Sequence, residues 1–206
     1  MYNQLVVVSA CDHHTRVTVG GSLLSTHSPT IGLLFGNETT VRSECDSGTD
    51  GSSSEVCSVH VIDATDAVYT YDAVADHLSL DMKQIKNKRD LWVQVYPTQP
   101  LLGWYAIGTE VTARHLAIHR EISGLVSDPS RALMLLINPA VDSNSSTKQL
   151  PLLLFQLETV QHTEIFVEHP FKVRVYFLVN YSITHSLTHS LTHSITQSLN
   201  VYLLSS

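Results

Sequence analysis

No apolar run in this sequence approaches the length of a membrane span, and positive charge is scarce. A span needs about 20 consecutive apolar residues, so no membrane partner is expected. With 12 Lys+Arg against 19 Asp+Glu, the formal net charge is −7. That balance lacks the basic footprint of a nucleic-acid binder, and no nucleic-acid partner is expected either. Cysteine is equally sparse: Cys11, Cys45 and Cys57 form an odd, scattered set. Such a set argues against a disulfide scaffold and for a reducing, intracellular compartment. The first residues, MYNQLVVVSA, lack the charged start and long apolar core of a secretory signal. There is no C-x-x-C pair, no glycine-rich phosphate loop and no G-x-S-x-G elbow.

What is present is a 206-residue chain with 43% hydrophobic residues and a mean hydropathy near zero. That is enough for one domain with a real core plus an appendage. Residues 5–10 are a valine-rich run that suits a buried strand or helix segment. Residues 31–35 read as a central strand, closed by Gly36 and a turn-like Asn37-Glu38 that opens a hairpin. Residues 44–54, ECDSGTDGSSS, have almost nothing to bury and read as a flexible loop. One or two alternating strands follow in 56–74. An amphipathic helix over 79–96 is stopped by Pro97 and Pro100. Residues 101–107 are a short buried strand, 112–125 a helix broken by Asp128-Pro129, and 133–137 another strand. A polar loop, DSNSSTKQ, leads to strands at 152–155, 165–167 and 171–175. Interleaved strands and helices make the class α/β or α+β. The final stretch repeats S-[IL]-T-H every four residues. A helix would advance about 400° per repeat, so its apolar stripe drifts off any one core. Residues 176–206 are therefore expected to be a low-complexity tail, and His185, His189 and His193 an adventitious metal binder at most.

Three groups of residues are candidates for chemistry. His115 and His119 stand four apart on one helical face, the start of many zinc sites. A helical zinc protease would place Glu directly after the first His. Here Leu116 follows, and no third ligand is nominated nearby. Asp12-His13-His14 could serve acid–base chemistry, but reads more simply as a strand end or helix start with Asp12 as cap. Cys45, Cys57 and His60 could ligate zinc, although the cysteine spacing gives the idea little support. On residues alone, the chain is an α/β domain without a convincing site.

The order of segments resembles the MPN domain (JAB/MPN-type, cytidine-deaminase-like), in its form without catalytic metal. VVVSACDHHTRV is similar to that family's first helix and following strand, with D-H-x-x-R on Asp12, His13 and Arg16. IGLLFGNE resembles its I-G-x-L-x-G strand and hairpin, and LSLDMKQIKNKRDLWVQVYP the helix before the core strand. LLGWYAIG resembles the G-W-Y strand that carries the histidines of metalloprotease members. LMLLINP with LPLLLFQLETV resembles the L-x-L-N-P and L-P-x-x-x-F pattern of the metal-free signalosome subunit. Five motifs in the right order carry the resemblance, over about residues 4–174, interrupted by an insertion at 44–55. The second-best match is to a metal-free MPN protein of eukaryotic translation initiation factor 3, through G-W-Y-A-x-G and the following I-H.

The resemblance implies a mixed β-sheet flanked by helices over residues 1–175. It also implies how metalloprotease members hold zinc: two His and an Asp after G-W-Y are the ligands, a Ser stands three residues before that Asp, and a Glu before the I-G strand is the base. Those His positions fall on Ala106 and Gly108, the Ser position on Leu116, the Asp position on His119 and the base on Pro29. An alanine methyl and a glycine hydrogen cannot ligate zinc, and proline cannot accept a proton. The implied role is a noncatalytic scaffold without metal or other cofactor, in cytoplasm and nucleus. Its implied partners are the catalytic MPN subunit and the other COP9 signalosome subunits, and indirectly the cullin-RING ligases from which NEDD8 is removed. A scaffold role in initiation factor 3 and a divergent isopeptidase using His119 are the alternatives. The aromatics Tyr69, Tyr71 and Trp92 are candidates for a contact surface, with Trp92 better placed in the core. The match fades after residues 166–173, and the helices by which members join a helical bundle are not expected within this sequence.

Overall fold

The structure, a computed structural model, describes residues 2–20, 29–43, 54–139, 151–161 and 163–174. They fall within one compact unit, Met1–Val175. The four-residue repeat, the polar stretch DSNSSTKQ and most of the Ser/Gly-rich insertion lie outside the described residues.

The chain starts with a short strand β1 (Tyr2–Asn3) and runs straight into helix α1 (Gln4–Gly20). The valine-rich run is thus helical, and the helix continues through the segment expected to turn into a strand. Val6, Ala10 and His13, spaced i, i+4, i+7, form its buried face. Asp12-His13-His14 consequently sits in mid-helix, not at an end. Asp12 caps nothing there, and pairs instead with Arg16 one turn on, at 2.9 Å.

Two long antiparallel strands follow, β2 (Thr30–Ser43) and β3 (Ser54–Asp66). Asn37-Glu38 is not the hairpin turn that the sequence suggested. Asn37 pairs with His60 and Glu38 with Val59, after a register shift at Phe35/Gly36. The shift is a bulge, and it absorbs the local irregularity without ending the strand. Ser54 and Glu55, read as part of the insertion, begin β3 opposite Ser43 and Arg42.

A small hairpin of β4 (Tyr69–Asp72) and β5 (His77–Leu80) stands apart from the main sheet. Ser79 and Leu80, expected in the next helix, belong to this hairpin. Helix α2 (Met82–Val95) starts two residues after Leu80, behind Asp81, which accepts the Gln84 N–H at 3.0 Å. Such a cap contributes about 1 kcal/mol. Met82, Ile85 and Trp92 form its inward stripe.

Strand β6 (Leu101–Ile107), helix α3 (Ala113–Ser123) and strand β7 (Leu133–Ile137) make a β-α-β unit, so β6 and β7 are parallel. β8 (Leu152–Val160), β9 (Thr163–His169) and a terminal β10 (Val173–Arg174) complete the main sheet, in the order β10-β1-β3-β2-β6-β7-β8-β9. In β6 the first six residues are all buried, and in β7 all five are. This continuous burial, rather than alternation, reflects helices on both faces. Side chains alternate between two cores: Ile31, Trp104 and Met134 face α2 and α3, while Leu34, Tyr105 and Leu135 face α1.

Gly103 explains how β6 and β7 come so close. A Cβ there would lie 2.0 Å from the backbone oxygen of Leu133, a contact no side chain tolerates.

Candidate functional site

Of the four ligand and base positions singled out by the family resemblance, three converge. Ala106 lies near the end of β6 and pairs with Ile31, while Pro29 immediately precedes β2. Gly108 follows β6 and donates its N–H to the Ile137 carbonyl at 3.0 Å. All three line one open cleft of about 770 Å³, between the β4–β5 hairpin and the start of α3. Their side chains offer it a methyl group, a hydrogen atom and a pyrrolidine ring. The Pro29 carbonyl already accepts the Tyr69 hydroxyl proton.

The fourth position behaves differently. His119 is buried on α3 but does not line that cleft; it borders a separate hollow beside β8 and β9. Its Nδ1 accepts the indole N–H of Trp104 at 3.2 Å. Indole only donates, so the neutral imidazole must carry its proton on Nε2. That Nε2 is buried and has no partner among the described residues, with the Phe166 ring packed edge-on at 5.2 Å. An unpaired buried donor costs about 1–3 kcal/mol. Burial holds the His119 pKa below its ordinary value, the Glu164 carboxylate opposing this only in part.

His115 does share a face with His119, as the spacing implied, and also stacks on Trp104, with ring centroids 5.9 Å apart. It is not poised for a metal. Its Nδ1 accepts the Thr112 backbone N–H at 2.8 Å, closing the first turn of α3 as the Glu of a capping box would. Burial, then the neighbouring Arg114 charge, takes its pKa down to about 4. The pair that looks most like a zinc site thus consists of one capping residue and one core residue.

The rim of the cleft is tied by charge. Arg114 of α3 binds the Asp76 carboxylate, which also accepts the Tyr71 hydroxyl at 2.7 Å, and the guanidinium lies over the Tyr71 ring. Tyr71 is thereby committed to an internal clamp, while Tyr69 and Trp92 pack against the α2–α3 core.

Residues 13 and 14 are brought to the other face. His13 Nδ1 meets the Tyr105 hydroxyl at 2.8 Å, and His14 Nδ1 the Thr30 hydroxyl at 2.9 Å. Desolvation lowers the His13 pKa against the pull of Asp66. Sequence reading missed this bond, since nothing in the local pattern announces a partner 92 residues away. The Cys45, Cys57 and His60 candidate is not brought together: Cys45 lies outside the described residues, and Cys57 is opposite Thr40 in the β2–β3 ladder.

A catalytic zinc ion needs three protein donors around one open position. Among the described residues, no three His, Cys, Asp or Glu side chains are grouped to hold a metal ion. Pro29, Ala106 and Gly108, at the positions the resemblance singles out, do not fit a zinc ion. Also among the described residues, no helix is long and apolar enough to cross a membrane.

No protein-family model matches the chain. It is similar to COP9 signalosome complex subunit 6 of Dictyostelium discoideum, with 27% identity over 174 residues. That alignment takes in 82% of this chain and 47% of the relative. Subunit 6 of Oryza sativa subsp. japonica is 27% identical over 157 residues, 75% of this chain and 42% of the relative. Subunit 6b of Arabidopsis thaliana is 30% identical over a shorter stretch of 80 residues, 39% of this chain and 24% of the relative. The chain spans about half the length of the first of these relatives, or less of the others. The resemblance read from the motifs is therefore to signalosome subunit 6, and the fold is α/β, a mixed sheet flanked by helices, consistent with an MPN fold.

Proposed function

We propose that this chain is a noncatalytic scaffold subunit of the COP9 signalosome, pairing with the catalytic MPN subunit and so supporting removal of NEDD8 from cullin-RING ligases in cytoplasm and nucleus. One observation carries the reading: Pro29, Ala106 and Gly108 meet in one cleft and supply it with neither a metal ligand nor a proton acceptor. Ala106, Gly108 and His119 stand at the degenerate ligand positions, and Pro29 at the degenerate base position. His119 cannot compensate alone, because its Nδ1 is spent on Trp104.

A domain can lose this chemistry and keep its packing, because the two depend on different atoms. The buried faces of β2, β6 and β7 form the rigid sheet, and the cleft lies at its end. What remains is a stable body whose surface is available for pairing.

Co-purification with the catalytic MPN subunit, together with a NEDD8–cullin cleavage assay, tests this reading. The expected result is a stable complex in which cleavage requires the partner's zinc site and is unaffected by His119→Ala here. Cleavage by the chain alone, abolished by His119→Ala, would establish the divergent isopeptidase instead.

A further inference from the structure

The two edges of the main sheet must lie close together. In the order β10-β1-β3-β2-β6-β7-β8-β9 they are the two ends, seven strand spacings apart. Laid flat, that distance is about 34 Å. Yet β9 ends at His169 and β10 begins at Val173, and four Cα–Cα steps reach at most about 15 Å. The sheet therefore curls into an incomplete barrel whose seam is bridged by residues 170–172. Phe171 of that bridge packs against the core on the α1 side, so this core is the inside of the curl.

Helix α1 fills one part of the interior, with Val6 and Ala10 in the same core as Leu34 and Tyr105. Beyond the helix, between β3, β8 and the bridge, lies a hollow of about 360 Å³ that no α1 residue lines. Its wall is apolar, made by Val59, Leu133, Leu154 and Phe171. Its mouth is not. His169 stands opposite Leu154 in the β8–β9 ladder, so its side chain shares the inner face. The His169 Nε2 is buried and has no hydrogen-bond partner among the described residues; the Glu158 carboxylate, at 3.8 Å, is too far away to be one. Lys172 lines the same mouth, exposed and without an ion pair among the described residues. No described Asp or Glu lines the hollow.

We propose that this hollow is a binding site for a small amphipathic carboxylate, its hydrocarbon part on Val59, Leu133 and Leu154 and its carboxylate between His169 Nε2 and the Lys172 ammonium. An apolar cavity with a few convergent polar groups, set in the mouth of a barrel, has the composition of a small-molecule site. Such sites hold about 300–1,000 Å³, and this one is at the lower end, which suits one short chain. Two donors with no acid beside them select an anionic head group, through charge-assisted hydrogen bonds. A carboxylate there would also fix the imidazole proton on Nε2, giving that buried atom the acceptor it lacks.

Calorimetric titration of the full chain with octanoate tests the proposal. One octanoate per chain is expected, bound about a hundredfold more tightly than butyrate, which lacks four methylenes. Octan-1-ol, with the same chain length and no charge, is expected to bind about tenfold more weakly than octanoate. Lys172→Glu and His169→Leu should each weaken octanoate about tenfold and leave octan-1-ol unchanged, which a merely structural change would not do. Val59→Phe fills the hollow and should weaken both ligands. Lys83→Glu, an exposed lysine elsewhere, is the control and should alter neither. Lys172 is exposed, so its variant should melt with wild type, and it carries the test if Val59→Phe does not fold. Absence of octanoate binding would overturn the proposal. Equal binding of octanoate and octan-1-ol would overturn it too, as would tighter binding of octylammonium, which would assign the mouth to a cation through Glu158.

Discussion

The middle of strand β6 and its C-terminal end differ sharply, although only a few residues separate them. In the middle, every side chain is committed: Gly103 lies against the Leu133 backbone, Trp104 donates to His119, and Tyr105 bonds His13. Trp104 and Tyr105 point to opposite faces, and each pins a helix to the sheet through a buried imidazole. At the end, Ala106 and Gly108 make no side-chain polar contact and face an open cleft. A Cβ added to Gly108 would meet only the Leu136 side chain, at an ordinary 3.7 Å. At Gly108 the cleft wall is thus bare rather than filled by packing, while the Ala106 methyl joins the core. Folding constrains the first region, and the second contributes no side-chain hydrogen bond at Ala106 or Gly108.

The sharpest way to break this contrast is at Gly103. Gly103→Ala must push β6 from β7, and a loss of about 3 kcal/mol or more is expected, read as insoluble or unfolded protein in denaturant titration. Next, Trp104→Phe leaves the His119 ring without its donor and opens space in the core. Thermal or chemical unfolding should show a loss of about 2–3 kcal/mol. Tyr105→Phe removes only a hydroxyl, and about 1–1.5 kcal/mol is expected in the same assay. The order Trp104 above Tyr105 is itself a prediction, because His13 keeps more alternatives than the fully enclosed His119.

Acid should separate the two imidazole contacts in another way. His13, His115 and His119 all have folded pKa values lowered from the ordinary 6.5, His115 to about 4. Between about pH 6.5 and 4 the unfolded chain therefore binds more protons than the folded one, and stability falls as pH falls through that window. Below it the His115 contribution is flat. A protonated His13 can still donate to the Tyr105 oxygen, whereas a proton on His119 Nδ1 would face the Trp104 N–H. Imidazole resonances followed by NMR should show the His119 environment lost along with folding, and His13 titrating with its contact intact. The smallest effect is expected at the strand end: Gly108→Ala should change stability by no more than about 0.5 kcal/mol.

Much of the fold was legible because burial dictates pattern. The apolar runs 101–107 and 133–137 coincide with β6 and β7, since buried strands of a two-sided sheet need only be apolar. Misreadings arose where tertiary contacts overrule local chemistry. Asn37-Glu38 has turn composition but lies within a long ladder, and the β-branched run of α1 gave no clear period because its outer face is also apolar. The candidate site was legible only by resemblance: an alanine, a glycine and a proline announce nothing by themselves. Conversely, His115 and His119 announce a metal that their hydrogen bonds do not leave room for.

Zinc binding tests the central claim most directly. The measurement is zinc retained through gel filtration by the full chain with His185, His189 and His193 replaced by Asn, with and without His119→Ala. Neither protein is expected to retain zinc, since the end of β6 offers no ligand. One equivalent of zinc held by the first protein and lost with His119→Ala would contradict that claim.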